Sequence, residues 1–96
     1  MTDVTITRHA NGSGGEYRAA VAGSSAIGQL TWTAHHGVRA ADHTLVPPEI
    51  GGRGVAAKLV EALIADARKH GFKIDPQCSY VAAAFKRHPD WADLHV

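Results

Sequence analysis

The stretch Val46-Pro47-Pro48-Glu49-Ile50-Gly51-Gly52-Arg53-Gly54-Val55-Ala56-Ala57 holds the residues whose types and spacing point most directly to chemistry. Two prolines end an extended run, three glycines crowd one arginine, and a helix-periodic sequence begins at once. The first amides of a helix have no partner inside it, and the aligned peptide dipoles place partial positive charge there, so an anion is stabilised. Glycine lets backbone N–H groups approach that anion with no Cβ in the way. Gly51, Gly52 and Gly54 stand where this requires, and Arg53 can add a charge-assisted contact. The expected ligand is a phosphate; the alternative is a tight strand-to-helix turn that holds nothing.

Two nucleotide signatures do not fit. The G-x-x-x-x-G-K-S/T loop is absent, because Lys58 lies four residues past Gly54 and is followed by Leu59. A Rossmann fingerprint needs an early strand-turn-helix with an acidic residue about 20 positions on, whereas this loop follows several strands.

The elements that must position the loop are legible from hydrophobic period. Val4 and Ile6 alternate with threonines, Asn11 to Gly15 is a turn cluster, and Tyr17, Ala19 and Val21 alternate again before an Ala22-Gly23-Ser24-Ser25 turn. From Ala26 to Ala34 the period of two continues, with Leu30 and Trp32 on one face. His35-His36-Gly37 reads as an exposed turn, and Val38 to Val46 is a fourth strand. Short strands joined by short turns make an antiparallel meander. From Arg53 to His70 the period changes to that of a helix, with Val55, Ala56, Leu59, Val60, Leu63 and Ala67 on one side and Gly71 as a left-handed cap. Phe72 to Asp75 leaves room for a short fifth strand, Tyr80 to Lys86 for a helix, and Pro89 starts a last turn or helix. His88 and Trp91 are expected to pack this end onto the sheet. The fold class is α+β (α/β), in one domain over residues 1–96.

Composition bounds the partners. Ninety-six residues with 45% hydrophobic and 20% charged content describe an ordinary globular domain, and no apolar run reaches the length of a membrane span. The segment Met1 to Ile6 lacks the basic and apolar regions of a secretory signal, so the cytoplasm is expected. A net charge of +1 with scattered Lys and Arg lacks the footprint of a nucleic-acid binder. The lone Cys78 closes no internal disulfide, which suits a reducing compartment. A Cys78/His88/His95 metal site can be drawn, but its spacing matches no zinc pattern and no metal is expected. A monomer is the default.

Gly51-Gly52-Arg53-Gly54-Val55-Ala56 resembles the acetyl-coenzyme A loop of the GNAT superfamily of N-acetyltransferases, written Gln/Arg-x-x-Gly-x-Gly/Ala. Gly51 stands where Gln or Arg is usual, so a side-chain contact to the pyrophosphate passes to Arg53 or is lost. The resemblance extends to the small, single-domain YjdJ-type branch through His43-Thr44-Leu45-Val46-Pro47, Gly52-Arg53-Gly54-Val55-Ala56, Pro76-Gln77-Cys78-Ser79-Tyr80-Val81 and His88-Pro89-Asp90-Trp91-Ala92-Asp93-Leu94. It implies a trimmed GNAT-like fold that uses acetyl-coenzyme A as co-substrate. The antiparallel four-stranded meander, the main helix after the Gly-rich loop, the short fifth strand and one or two short C-terminal helices are its parts.

The resemblance also implies roles. Gly51, Gly52, Arg53, Gly54, Val55, Ala56 and Ala57 would hold the pyrophosphate. Leu45 and Val46 would form one wall of an opening between the fourth and fifth strands, with Pro76 to Tyr80 opposite. Acetyl transfer needs a positioned thioester, a deprotonated amine and a protonated leaving thiolate. Cys78 then accepts the acyl group or positions the thioester, or is a small buried hydrophobe. His43 is the candidate general base, with Asp42 placed by alternation on the opposite face, and the alternative is a structural histidine. Tyr80 protonates the leaving thiolate or belongs to the core. The function expected is N-acetyl transfer to an unidentified amine. A coenzyme A-binding module without catalysis and a plain structural domain are the rivals.

Overall fold

The computed structural model describes residues 3–96; Met1 and Thr2, which open the segment read for a secretory signal, lie outside the described residues. Four strands, β1 (Val4–Asn11), β2 (Gly14–Val21), β3 (Ile27–His35) and β4 (Val38–Leu45), form an antiparallel meander. A 3-10 turn, Pro48–Ile50, leads to α1 (Val55–His70). The short β5 (Lys73–Pro76) then joins β4 in parallel and makes the sheet mixed, in the order β1-β2-β3-β4-β5. α2 (Ser79–Arg87) and a second 3-10 turn, Pro89–Leu94, close the chain. This is the α+β arrangement of a trimmed GNAT fold, with the main helix after strand four.

Alternation explains the two layers. Tyr17, Ala19, Val21, Leu30 and Trp32 are buried beneath α1, which sets Val55, Leu59, Val60, Leu63, Ile64 and Ala67 against them. Leu59 and Leu63 are fully buried, so either one changed to Ala costs about 2–5 kcal/mol. The opposite sheet face carries Glu16, Arg18, Gln29, Thr31 and Thr33 and stays polar, as an antiparallel sheet with one wet side can. Gly28 lets the layers approach, because a Cβ there would come within 3.0 Å of Val55 Cγ1 at the start of α1.

Several boundaries differ from the sequence reading, each for a local reason. The turn expected over Asn11 to Gly15 narrows to Gly12-Ser13, since Asn11, Gly14 and Gly15 are taken into the β1–β2 ladder. α1 starts at Val55, not Arg53, because Gly54 is its N-cap in the left-handed region, φ 73°. Gly71 ends it, also left-handed, with its N–H bonded to Ala67 O. The C-terminal turn packs on α1 and α2, with Trp91 edge-on to Phe85 at 5.7 Å, and reaches the sheet through the bridge between Ile74 and His95. His88 and Trp91 stack on each other 3.9 Å apart instead of lying on the sheet as expected.

One correction bears on the site. Thr31 pairs with His43 but Trp32 pairs with Ala41, so Asp42 is an extra residue in β4, a β-bulge. Strict alternation fails there. Asp42 accepts hydrogen bonds from the hydroxyls of Thr31 and Thr33, and His43 lies opposite Thr31, so both side chains belong to the outer, polar face instead of opposite faces.

Candidate active site

β4 and β5 pair from Val38 with Lys73 as far as Ala41 with Pro76 and then part. Pro76 has no N–H with which to extend the ladder. Beyond the split, β4 continues to Leu45 while the other chain turns into α2, pinned by the Cys78 N–H to Ala41 O at 2.8 Å. The opening expected between the fourth and fifth strands is therefore present as a divergence of backbone.

Next to it lies an open pocket of about 290 Å³ lined by Val46, Gly51, Gly52, Gly54, Val55, Ala56, Ala57 and Tyr80. The 3-10 turn seats the loop through Ile50, which is fully buried. Gly52 and Gly54 both have φ near 73°, a region that costs a side chain about 1–2 kcal/mol, yet a Cβ on either would meet nothing within 4 Å. Conformation demands these glycines, and the space before them is open. The N–H groups of Val55, Ala56 and Ala57 precede the first intrahelical bond, from Lys58 N–H to Gly54 O at 3.1 Å. No side chain caps this end and its first turn holds no acidic residue. The donor set fits a phosphate: bare amides on a helix dipole, with no competing carboxylate.

Of the residues singled out in the sequence, the pocket gathers Val46, Gly51, Gly52, Gly54, Val55, Ala56, Ala57 and Tyr80. Arg53 is exposed at the rim and does not line it. Leu45 pairs with Gln29 on the outer face and is 47% exposed, so its side chain also lies outside the lining. His43 is exposed on that same outer face.

The sequence matches a known family along most of its length: a model of the GCN5-related N-acetyl-transferase family covers residues 16–94. The chain belongs to that family. Among curated proteins, none matches it. GCN5-related acetyltransferases carry out acyl-coenzyme A-dependent acetyl transfer, with acetyl-coenzyme A as co-substrate. No helix among the described residues is long and apolar enough to cross a membrane.

Cys78 is the N-cap residue of α2, and its thiol donates to Thr44 Oγ1 at 3.3 Å. Thr44 pairs with the buried Leu30 and so faces the helix layer, the reverse of His43. Cys78 and His43 are thus presented on different sides of β4. Burial opposes ionisation of the thiol, but the Thr44 hydroxyl and the backbone N–H groups of Val81, Tyr80 and Thr44 outweigh it and hold the thiol below its usual range. His88 lies on Trp91 and His95 is edge-on to Phe85 at 5.4 Å, each apart from the Thr44 contact that engages Cys78.

Sequence reasoning missed Thr44 as the partner of Cys78 and missed a polar network under the other end of α1. There the buried Tyr17 Oη donates to Asp66 Oδ2 at 2.7 Å and accepts from Arg39 Nη1 at 2.9 Å, while Arg8 Nη1 reaches the same carboxylate at 3.2 Å. The Arg39 guanidinium lies over the rings of Trp32 and Phe72. Tyr17 and Arg39 share the helix-facing side by register, a signal that pairing reveals and sequence alone does not. A larger depression of about 440 Å³ near the C-terminus of α1 is lined in part by Arg68, Lys73 and Asp93, where Arg68 donates to the Asp93 carboxylate and Lys73 to the Asp93 carbonyl.

Proposed function

We propose that this family member is an acetyl-coenzyme A-dependent N-acetyltransferase of the small, single-domain YjdJ-type branch, acting on an amine that approaches from the outer face of the sheet. The observation that carries the reading is the pocket of bare amides and left-handed glycines beside the β4–β5 divergence. When bound there, acetyl-coenzyme A supplies an activated acetyl group. The loop amides from Gly52 to Ala57 hold its pyrophosphate, and Val46 and Tyr80 flank the arm that leads toward Cys78.

The side chains divide the remaining work by face. On the helix side, Cys78 positions the thioester or takes the acetyl group on its sulphur, and the Tyr80 phenol gives a proton to the departing thiolate. On the outer side, His43 takes a proton from the acceptor's ammonium, and the free amine then attacks the thioester carbonyl. The lone cysteine suits work in the reducing cytoplasm.

A second reading, a module that binds coenzyme A without transfer, draws support from the bare outer face: among the described residues no helix covers it, so an acceptor site would have to come from the sheet itself. An amide NMR titration with acetyl-coenzyme A, followed by intact mass and an amine screen, separates the readings. Shifts centred on Gly52 to Ala57 with acetylated amine product support the transferase. The same shifts without product or added mass support the module. No shifts at those amides would sink both.

A further inference from the structure

The polar contacts of Cys78 define a function for a residue not yet assigned one. The sulphur sits at the N-terminus of α2, where the amides of Tyr80 and Val81 turn toward it, while β4 supplies the hydroxyl of Thr44 at 3.3 Å from across the divergence. The Cys78 N–H is tied to Ala41 O on the same strand, so the backbone beneath the thiol is fixed to β4 at one point and its sulphur at another, three residues on. The bulge at Asp42 sets the register, turning Thr44 inward opposite Leu30 while Asp42 and His43 turn outward.

We propose that Thr44 is a positioning residue for Cys78: its hydroxyl accepts the thiol hydrogen at rest and, once that proton has left to solvent, turns to donate to the sulphur, holding it as a thiolate at the end of the β4–β5 opening. The charged and titratable side chains on the elements that meet here are Arg39, Asp42 and His43 on β4, Lys73 and Asp75 on β5, and Tyr80, Lys86 and Arg87 on α2. Arg39 donates to Tyr17, Lys73 to the Asp93 carbonyl, Arg87 lies over the Tyr80 ring and Lys86 is exposed. Asp42 is engaged by Thr33, Asp75 by Gln77, and His43 lies on the other face. Burial, which opposes ionisation, and the Thr44 hydroxyl and backbone amides, which favour it, are the main influences on the thiol, and no ionised side chain is among them. An amide at a helix N-terminus is removed only by proline, which changes side chain and backbone together, whereas the hydroxyl can be removed alone.

This inference rests on the reading of Cys78 as a group that faces the thioester, and its test does not depend on turnover. The rate of Cys78 alkylation by iodoacetamide is measured against pH in the intact wild-type chain, in Thr44→Val and in Thr44→Ser, with thermal melts to confirm folding and Thr44→Ala as a second hydroxyl-free variant. In the wild type the rate should inflect below the ordinary thiol value of about 8.5. Thr44→Val should move the inflection upward and slow alkylation near neutral pH by about three- to tenfold, while the plateau at high pH is kept. Thr44→Ser should restore the wild-type profile. Coincident profiles in wild type, Thr44→Val and Thr44→Ala would overturn the proposal. A profile that depends on Thr44 in a chain that transfers no acetyl group would uphold the pairing and count against the transferase reading alone.

Discussion

The two ends of α1 treat polar groups in opposite ways. At its C-terminal half Asp66 is met by Tyr17 and Arg8, with Arg39 3.8 Å away, and Arg68 is met by Asp93. At its N-terminus the first-turn amides face a pocket with no cap and no carboxylate. Among the described residues no buried side-chain nitrogen or oxygen lacks a partner. On the proposed reading the bare end is the place of the ligand, while the other end turns its polar side chains on one another.

The largest effect should come from damaging the open end. Gly54→Glu is expected to weaken acetyl-coenzyme A binding roughly a hundredfold or more, since it sets a carboxylate where phosphate oxygens approach the amides. Gly54→Ala carries the same left-handed strain, about 1–2 kcal/mol, without the charge, and should keep measurable binding. Isothermal titration of both folded variants checks this. Equal affinity in wild type and Gly54→Glu would remove the distinction between the two ends.

The closed end should answer in stability and not in binding. Asp66→Ala leaves Tyr17, Arg8 and Arg39 short of an acceptor, and because the carboxylate is partly exposed the expected loss is about 2–3 kcal/mol, or roughly 10–20 °C in melting temperature. Acetyl-coenzyme A affinity of the folded fraction should stay unchanged. Tyr17→Phe is milder, about 1–2 kcal/mol, and has a signature in pH. Burial first, and then the hydrogen bond to Asp66, raise the phenol well above its ordinary value of about 10. The unfolded chain therefore loses this proton first. The stability that the phenol contributes is complete below about pH 10 and drains away as pH rises toward the folded-state value. Melts from pH 8 to 11 should show a steeper alkaline decline in wild type than in Tyr17→Phe; parallel slopes would mean that the phenol is not held as described.

Much of this contrast was legible in the sequence, though unevenly. The period of two in Tyr17, Ala19, Val21, Leu30 and Trp32 and the helical stripe from Val55 to Ala67 gave the layers, because both depend on local repetition. Gly52 and Gly54 gave the loop, since left-handed backbone leaves its mark in residue type. The bulge at Asp42 left no such mark. It moved Asp42 to the face of His43 and turned Thr44 toward Cys78, so the partners of the thiol emerged only with the strand register. Arg39 and Asp66 stayed hidden for the same reason: they lie on elements far apart in the chain, and each taken alone reads as an ordinary surface charge.

The smallest effect tests what kind of groups hold the anion. Arg53 is exposed at the rim, outside the lining, in a loop whose first position is Gly51, where the pattern it resembles has Gln or Arg. An exposed ion pair contributes about 0.2–1 kcal/mol and is screened by salt. Arg53→Ala should therefore weaken acetyl-coenzyme A at most about fivefold at low ionic strength, and the difference should shrink in about 0.5 M salt, while the backbone contribution probed at Gly54 persists. If Arg53→Ala instead matched the loss in Gly54→Glu, the charge of one side chain, and not the bare helix end, would be the binding group. The open end of α1 would then resemble the closed end more than its geometry implies, with an arginine waiting for a carboxylate or phosphate in place of a set of amides.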